Sequence, residues 1–430
     1  MRVISILKRT IIAAAVVALG VIAAPGEDRV ASAGSVSTRA VWFSFYEYST
    51  YGLKNQTQAA FEKNAETIFK NIKDSGCNTV YMHTRMFDDA IYPSKVVGWS
   101  SYIATNGSKL GYDPLKILVK KAHAKGLKIH AWMNPYRVTP NKILNPAKTK
   151  TINRVVKQVK EIINNYKVDG IHFDDYFYST SSSYYKKTTE TKRKKYVNKL
   201  IKKVYKTVKK KSSKLLFGIS PAGNFEYSMS IGGDVKTWLS KKGYIDYIVP
   251  QIYWSDKYKT SSGYVKMFTN RYKLWTEMNK IDLPMYIGLG LYRAGIKPDA
   301  YDKGWKKKNT NLKSQLQMIK AGNTEGYSLF TYGDLTASHA KKELKNFYKE
   351  LAWIKLNKTK VTLKKGENFT LTAKWFPNAY SGATIKFKSL NPELATVNKY
   401  GVITALAKEG SVKIQAYYGD KKKNCTVVLD

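Results

Sequence analysis

The chain has 430 residues, 43% of them hydrophobic and 13% aromatic, which excludes global disorder and allows a sizeable core. This length suits a barrel of about 250 residues with a smaller module attached. The formal net charge of +43 indicates anionic surroundings or partners. Because the sequence has no helix-turn-helix, zinc-finger or aromatic RNA-binding motif, we expect no specific nucleic-acid recognition.

The N-terminal segment predicts export. Three basic residues within the first nine precede an apolar stretch at positions 11–24, and Ala31-Ser32-Ala33 then supplies the small residues that a signal peptidase requires. We interpret residues 1–33 as a signal peptide, so the mature chain begins near Gly34 and is secreted or associated with the cell wall. Since the apolar stretch is short for a bilayer, we expect no transmembrane span in the mature protein, although an uncleaved anchor is the alternative.

From Ala40 to about Leu351, short apolar runs alternate with longer segments of helical periodicity. Candidate strands begin at Ala40, Asn78, Leu127, Val168, Leu215, Ile245, Met285 and Gly326. Glycine follows several of the intervening helical patterns, as in Ser75-Gly76, and marks their ends. Eight strand–helix units in succession predict an α/β fold, a (β/α)8 TIM barrel over residues 34–352. A doubly wound open sheet is the alternative, but no glycine-rich phosphate loop follows any strand.

One predicted helix carries a large share of the positive charge. Nearly every charged residue between Lys186 and Lys214 is basic, while apolar residues recur at helical spacing, as at Val197, Ile201 and Val204. This pattern predicts a helix that packs on its apolar stripe and exposes lysine to solvent. The basic surface is therefore expected to associate with anionic cell-wall polymers.

The composition changes near Trp353. From there to Asp430 only short β-like runs occur, including VTL, FTLTAKW, VITALA and VKIQAYY, separated by glycine-containing turns. This pattern predicts a small all-β immunoglobulin-like sandwich over residues 353–430. The stretch SLNPELATVNKYGVITALAKEGSVKIQAYYG resembles a bacterial immunoglobulin-like domain of group 2. The resemblance implies an accessory module at the cell surface and no chemistry of its own.

The fourth predicted strand carries two adjacent carboxylates at its end. Because side chains alternate along a strand, His172, Asp174 and Tyr176 share one face and Asp175 lies on the other. In a TIM barrel this end of the strands forms the active face. Glycoside cleavage needs one protonated and one ionised carboxyl group, so one member of the pair is a candidate catalytic group. The second catalytic carboxyl group is then expected from another strand.

A structural role for the same pair is the alternative. Asp174 and Asp175 can instead cap the following loop or pair with Arg85 or Arg137, and the spacing alone does not decide between the roles. Among the aromatic residues, we interpret Trp42 and Trp132 as core because they lie inside apolar strands, and Trp254 as a sugar platform. We expect no metal and no cofactor, because no third ligand has a spacing that would join His130 and His172.

Six motifs in order resemble the glycosyl hydrolase-like family 10 barrels of the bacterial envelope. They are NTVYMHTRMFDDAIYPS, GYDPLKILVKKAHAKGLKIHAWMNPYRV, VDGIHFDDYFY, FGISPAGNF, YIDYIVPQIYW and YIGLGLYRAG. The resemblance implies a glycoside hydrolase acting on an envelope polysaccharide, above all the glycan strands of peptidoglycan. Carried over by position, it implies a site of Arg85, Asp89, His130, Asn134, Tyr136, Arg137, His172, Asp174, Asp175, Gln251, Tyr253 and Trp254.

Two positions depart from related patterns. Asp88 stands where family members usually have glycine, and Tyr176 stands where the similar DGxDxDxE strand of family 18 chitinases has its acid. The mechanism of those chitinases is therefore not carried over. We assign the proton to Asp175, one step nearer the rim, and charge support to Asp174, which shares the barrel-facing side with His172. The alternative function is a non-catalytic cell-wall glycan-binding surface protein.

Overall fold

The computed structural model describes residues 36–296, 301–307, 309–322 and 324–430. The predicted signal peptide, residues 1–33, lies outside the described residues. Within the ranges that are described, no helix is both long and apolar enough to cross a membrane.

Eight parallel strands form a barrel, and all eight predicted strands are confirmed. They are β1 (Thr38–Phe43), β2 (Thr79–Arg85), β3 (Lys128–Met133), β4 (Gly170–Asp174), β5 (Leu216–Ser220), β6 (Tyr247–Ile248), β7 (Tyr286–Leu289) and β8 (Gly326–Leu329). The strands neighbour one another in the order β7-β8-β1-β2-β3-β4-β5-β6. Parallel bridges from Ile248 to Met285 and from Gln251 to Gly288 join the two edges and nearly close the barrel.

Helices connect the strands and cover the outside of the barrel. They are α1 (Glu47–Thr50), α2 (Gln58–Asp74), α3 (Pro114–Ala124), α4 (Thr149–Asn165), α5 (Ser183–Lys186), α6 (Glu190–Lys211), α7 (Phe225–Ser230), α8 (Val235–Trp238), α9 (Met267–Met278), α10 (Gly304–Lys307), α11 (Asn311–Ala321) and α12 (Lys341–Leu351). Single 3₁₀ turns occur at Thr105–Gly107, Leu291–Arg293, Tyr332–Leu335 and Ser338–Ala340. Two-stranded hairpins pair Arg137–Thr139 with Lys142–Ile143 and Tyr258–Thr260 with Gly263–Val265.

The local sequence explains where the helices begin and end. The side chain of Thr57 accepts the N–H of Ala60 at the start of α2, and Asp113 accepts that of Lys116 at the start of α3. Gly76, just beyond α2, has φ +86°, a left-handed conformation that favours glycine. The apolar stripe predicted for the basic helix is buried in α6, so its lysines face outward.

Strand alternation divides the barrel residues between two cores. Val41 and Phe43 of β1 face outward into the large core beneath the helices. Ala40 and Trp42 of the same strand face inward and pack with Tyr81 and other large side chains inside the barrel. The interior is therefore filled by side chains.

The last strands form an all-β unit with a hydrophobic core of its own. They are β9 (Trp353–Leu356), β10 (Lys360–Leu363), β11 (Asn368–Thr370), β12 (Ala373–Phe376), β13 (Lys386–Ser389), β14 (Ala395–Val397), β15 (Val402–Ala405), β16 (Gly410–Tyr418) and β17 (Lys421–Leu429). A four-stranded sheet β10-β17-β16-β13 and a three-stranded sheet β11-β15-β14 accompany the pair β9-β12. The guanidinium of Arg39, near the start of β1, lies 5.4 Å from the Trp353 ring and 5.5 Å from the Phe376 ring.

We expect a chain lacking residues 353–430 to fold and to keep the activity of the full chain. The β unit contacts the barrel at the N-terminal ends of the strands, away from the opposite end where strand four delivers its carboxylates. Arg39 also stays anchored without it, through hydrogen bonds to the carbonyls of Val36 and Gly76, both 2.7 Å. Circular dichroism, thermal unfolding and a cleavage assay on both chains test this. A soluble, folded truncation that is inactive would contradict it.

Candidate active site

Two adjoining pockets open at the C-terminal ends of the barrel strands. An inner pocket of about 80 Å³ is lined by Trp42, Ser44, Phe45, Tyr46, His83, Trp132, Asn134, Arg137, Asp174, Tyr176, Ser220, Gln251, Tyr253 and Phe330. An outer cleft of about 290 Å³ is lined by Arg137, Pro140, Ile143, Asp175, Tyr176, Tyr178, Ser179, Thr180, Tyr227, Ile231 and Gln251. Arg137, Tyr176 and Gln251 belong to both, so the two spaces share a wall.

The strand-four carboxylates lie at this shared wall, one in each pocket. Asp174 is the last residue of β4 and lines the inner pocket, and Asp175 lines the outer cleft. Asp174 Oδ1 accepts the backbone N–H of Asp175 at 2.9 Å and an N–H of Gln251 Nε2 at 3.2 Å. Both carboxyl groups are buried, so each would be costly to ionise without such partners.

The surroundings divide the pair into an acid and a carboxylate. Burial raises the pKa of Asp175 well above its usual value, and the neighbouring charge of Asp174 raises it further. Burial also raises the pKa of Asp174, but the hydrogen bonds from Asp175 and Gln251 and the positive charge of Arg137 oppose that rise. The two carboxyl groups therefore titrate together, and the first proton is held on Asp175.

The structural role considered as the alternative for Asp174 and Asp175 was loop capping or pairing with an arginine, and only the first of these is found. Asp174 does accept the N–H of Asp175, as a loop-capping carboxylate would. Arg85 instead forms its ion pair with Asp88, at 2.9 Å. Among the described residues, neither strand-four carboxylate forms an ion pair with an arginine. Each carboxylate therefore lines a pocket without being neutralised by a direct ionic partner.

Arg137 and Tyr176 form the rim between the pockets. The guanidinium carbon of Arg137 lies 3.9 Å from the centre of the Tyr176 ring and 5.1 Å from that of Phe87. Tyr176 is 45% exposed and Tyr46, across the inner pocket, is 68% exposed. Exposed aromatic faces beside carboxyl groups suit sugar rings, which stack on flat apolar surfaces while their hydroxyls form hydrogen bonds.

A hydrogen-bonded chain of buried side chains supports the floor of the inner pocket. Trp42 Nε1 donates to His172 Nε2 at 3.2 Å, which places the proton of His172 on Nδ1. His172 Nδ1 then donates to the Tyr247 hydroxyl at 3.0 Å, and that hydroxyl is also hydrogen-bonded to His130 Nδ1, at 2.8 Å. Burial lowers the pKa of His130 to about 4 and that of His172 well below its usual value, so both imidazoles are neutral.

Comparison with known proteins identifies the barrel. The family model described as Glycosyl hydrolase-like 10 matches residues 37–143 and 135–307, and the model of the bacterial Ig-like domain (group 2) matches residues 352–427. The chain belongs to the glycosyl hydrolase-like 10 family. Both resemblances predicted from the motifs, that of the barrel and that of the C-terminal domain, are thereby confirmed.

Relatives of this family member have been named as hydrolases. It is 28% identical to glycosyl hydrolase DigH of Escherichia coli K12, over 60% of this chain and 72% of the relative. It is 25% identical to glycosyl hydrolase YngK of Bacillus subtilis, over 59% of this chain and 60% of the relative. The second catalytic domain of a group II chitinase from Ostrinia furnacalis superposes with a TM-score of 0.51 at 10% identity, covering 73% of this chain and 96% of that domain. That last likeness shows the fold alone.

Half of the predicted site residues of this glycosyl hydrolase-like 10 barrel line a pocket. They are Asn134, Arg137, Asp174, Asp175, Gln251 and Tyr253. His130 and His172 instead lie in the hydrogen-bonded chain beneath the floor. Trp254, predicted as a sugar platform, lines neither pocket: it packs over Gly223, where an added Cβ would lie 2.7 Å from its ring.

The three remaining predicted residues lie behind the rim. Arg85 is fully buried and its Nε donates to Gln158 of α4 at 2.8 Å. Asp89 accepts the backbone N–H groups of Met86 and Phe87, at 3.1 and 2.9 Å, and so shapes the loop after β2. Tyr136 is buried against Phe177. Their contacts favour a role in positioning the loops that carry the rim.

Asp88, which the motif comparison marked as a departure from glycine, adopts a left-handed backbone conformation. Its φ is +55°, in the left-handed region that is unfavourable for most side chains. The carboxylate lies between two arginines, 2.9 Å from Arg85 Nη2 and 2.9 Å from Arg154 Nε. These ion pairs offset the backbone strain and tie the loop after β2 to α4.

Several pocket residues were not among the predicted site residues. Trp42 and Trp132 were interpreted as core, and they are indeed buried, yet both also line the inner pocket. Tyr46 lies just after β1, and Tyr227 lies in α7, the first helix after β5; these positions beyond strand ends are the signal that could have identified them. Glu47, next to Tyr46, accepts hydrogen bonds from Ser44, Thr331 and Gly333, and burial raises its pKa to about 7.

The described residues contain no cluster of three or more His, Cys, Asp or Glu that could hold a metal ion. His130 and His172, the two histidines considered as metal ligands from the sequence, are both hydrogen-bonded to the Tyr247 hydroxyl. The chemistry that the pockets offer is proton transfer between buried carboxyl groups and a bound molecule.

A substitution at Gly218 of β5 tests whether Tyr247 and its hydrogen bonds stabilise the barrel beneath the inner pocket. An added Cβ at Gly218 would lie 2.2 Å from the ring of Tyr247. We expect Gly218→Ala to displace Tyr247, break its hydrogen bonds to both histidines and lower the free energy of unfolding by about 2–4 kcal/mol. Denaturant-induced unfolding measures the loss. Gly111→Ala is the matched control, because an added Cβ meets nothing within 4 Å there. Equal stabilities of the two variants would contradict this role of Tyr247.

Proposed function

We propose that this protein is an exported glycoside hydrolase that cleaves glycosidic bonds in a bacterial cell-envelope polysaccharide, above all the glycan strands of peptidoglycan. Membership of the glycosyl hydrolase-like 10 family supports the hydrolase class. The observation that carries the chemistry is the pair Asp174 and Asp175, two buried carboxyl groups that face adjoining pockets with raised pKa values. The envelope glycan is the substrate that the export prediction and the family resemblance favour.

The roles within the pair follow from their surroundings. Asp175 faces the wider cleft, and burial and the charge of Asp174 favour its protonated form, so it donates that proton to the glycosidic oxygen as the bond to the sugar carbon breaks. A water molecule then bonds to that carbon and releases a proton, which restores the acid and completes the hydrolysis. Asp174, which the N–H groups of Asp175 and Gln251 stabilise as an anion, supports the positive charge that develops on the sugar ring. The exposed rings of Tyr46, Tyr176 and Tyr227 provide stacking surfaces along the pockets.

Incubation with purified cell-wall glycans, followed by mass spectrometry of the soluble products, tests the proposed function. We expect fragments from the parent protein and none from a variant that carries both Asp174→Asn and Asp175→Asn. If the parent protein binds the glycans but releases no fragments, the proposal is wrong and the alternative of a non-catalytic glycan-binding protein is favoured. The released masses also identify the bond that is cut.

Export is tested separately on the secreted protein. Cleavage after Ala33 leaves Gly34 at the N-terminus, because the small residues at positions 31 and 33 fit the signal peptidase. N-terminal sequencing of protein recovered outside the membrane is expected to begin near Gly34. Recovery with Met1 retained would reject cleavage.

A further inference from the structure

A long basic groove lies on the outside of the barrel, apart from the two pockets. It has a volume of about 760 Å³ and is formed by α4, α6 and the loop after β2. Its charged lining residues are all basic: Lys95, Lys150, Arg154, Lys157, Lys160 and Lys203. The remaining lining residues are Val96, Asn153 and Val156.

The two helices that form the groove concentrate positive charge well beyond the rest of the chain. Together α4 and α6 carry fifteen lysine or arginine residues and two glutamates. One of these glutamates, Glu190, pairs with Lys194 outside the groove, and the other, Glu161, accepts hydrogen bonds from Ser94 and from the backbone of Lys95. Within the described ranges, neither glutamate forms an ion pair with a lysine of the groove.

The groove lysines are exposed and free of ionic partners. Among the residues that the structure describes, none of the five forms an ion pair, whereas Arg154 is held by Asp88 at 2.9 Å. Lys203 donates to Asn153 at 2.8 Å, a neutral partner that leaves its charge uncompensated. Like charges gathered on a concave surface repel one another, so an anion that enters the groove relieves that repulsion.

One end of the groove lies at the end of the barrel where the pockets open. Lys95 belongs to the loop that follows β2, and Lys150 lies in the first turn of α4, which starts from the C-terminal side of β3. Arg154 contacts Asp88, Asp88 contacts Arg85, and Arg85 donates to the carbonyl of Asn134 in the inner pocket. A polymer in the groove would therefore hold the active face close to whatever carries that polymer.

We propose that this groove binds a linear polyanion with phosphodiester charges and no bases, a polyol phosphate polymer of the cell wall. The inference rests on the exported location in the proposed function. Phosphodiesters repeat along a chain as the lysines repeat along α4. Single-stranded nucleic acids additionally stack their bases on aromatic side chains, and no aromatic residue is among those described as lining the groove. The groove thus offers charge without base recognition.

Binding of dye-labelled poly(glycerol phosphate) to the full chain, followed by fluorescence anisotropy across salt concentrations, tests the proposal. The variant replaces Lys150, Lys157, Lys160 and Lys203 with glutamine. Each lysine that contacts a phosphate releases a counterion, so we expect the Kd near ~0.15 M salt to rise at least about 10-fold. We expect the slope of log Kd against log salt to fall by about 3.

The matched control removes the same charge elsewhere, by glutamine substitution of Lys358, Lys364, Lys365 and Lys408, four exposed lysines of the C-terminal unit. Its Kd is expected to stay within about twofold of the parent value. Equal weakening in both variants would show an effect of net charge alone and overturn the proposal. Tighter binding of an oligonucleotide with as many phosphates would overturn the choice of polymer. The groove variant keeps the parent's cleavage of short glycan fragments, which separates this test from that of the proposed function.

Discussion

Asp175→Asn is expected to lower the turnover number for glycan cleavage by about 10²–10⁴-fold, the usual contribution of a general acid. Asparagine keeps the shape of the side chain but has no acidic proton to donate. Because burial and the charge of Asp174 favour the neutral form of Asp175, the neutral amide closely matches that form. Glycan binding and the thermal unfolding temperature should therefore change little. Steady-state kinetics, together with a binding measurement on the same glycan, checks that the turnover number falls while glycan binding is kept.

Asp174→Asn and an activated substrate are the controls for this assignment. A substrate whose leaving group needs no protonation should be cleaved by Asp175→Asn at close to the parent rate. It should not rescue Asp174→Asn, because that variant lacks the charge that supports the sugar cation. If the activated substrate restores the activity of Asp174→Asn alone, Asp174 is the general acid and Asp175 supports the sugar cation. If both variants cleave the natural glycan at the parent rate, the catalytic site lies elsewhere on the barrel.

The fold could be predicted from the sequence because the strands are short apolar runs and the long helices, such as α2, α4 and α6, are longer periodic ones. The predicted start at Gly326 coincides with that of β8, and the start predicted at Ile245 precedes that of β6 by two residues. The four β runs named after Trp353 are all found as strands, with FTLTAKW divided between β11 and β12. Local periodicity is sufficient for the barrel because its strands neighbour one another in chain order. In the C-terminal unit it identifies the strands but not their pairing, because β10 pairs with β17 and β11 with β15.

The candidate site could be predicted only in part, for two physical reasons. Side-chain alternation predicted different directions for Asp174 and Asp175, and in the structure the two residues line different pockets. The same periodicity could not separate the inward residues by height in the barrel: His130 lies in the filled interior, whereas Trp132, two residues later, lines the inner pocket. Trp254 shows the second reason, since a loop residue has no strand register to fix its direction.

The pH dependence of cleavage is expected to report the titration of the pair directly. Activity requires a proton on Asp175, whose raised pKa belongs to an acid, so the rate falls as the pH rises through that pKa. It also requires Asp174 to be ionised, so the rate falls again as the pH drops through the pKa of Asp174. Beyond each limb the loss is about tenfold per pH unit, and kcat/KM measured across pH in the full chain defines both limbs.

Two substitutions should move opposite limbs of that profile. Asp174→Asn removes the negative charge that raises the pKa of Asp175, so the alkaline limb of the residual activity moves to lower pH. Arg137→Gln removes the positive charge that lowers the pKa of Asp174, so the acidic limb moves to higher pH. A structural loss would reduce the rate at every pH and leave both limbs in place. Because the limbs belong to a coupled pair, a profile in which neither substitution shifts a limb would show that other groups carry the proton.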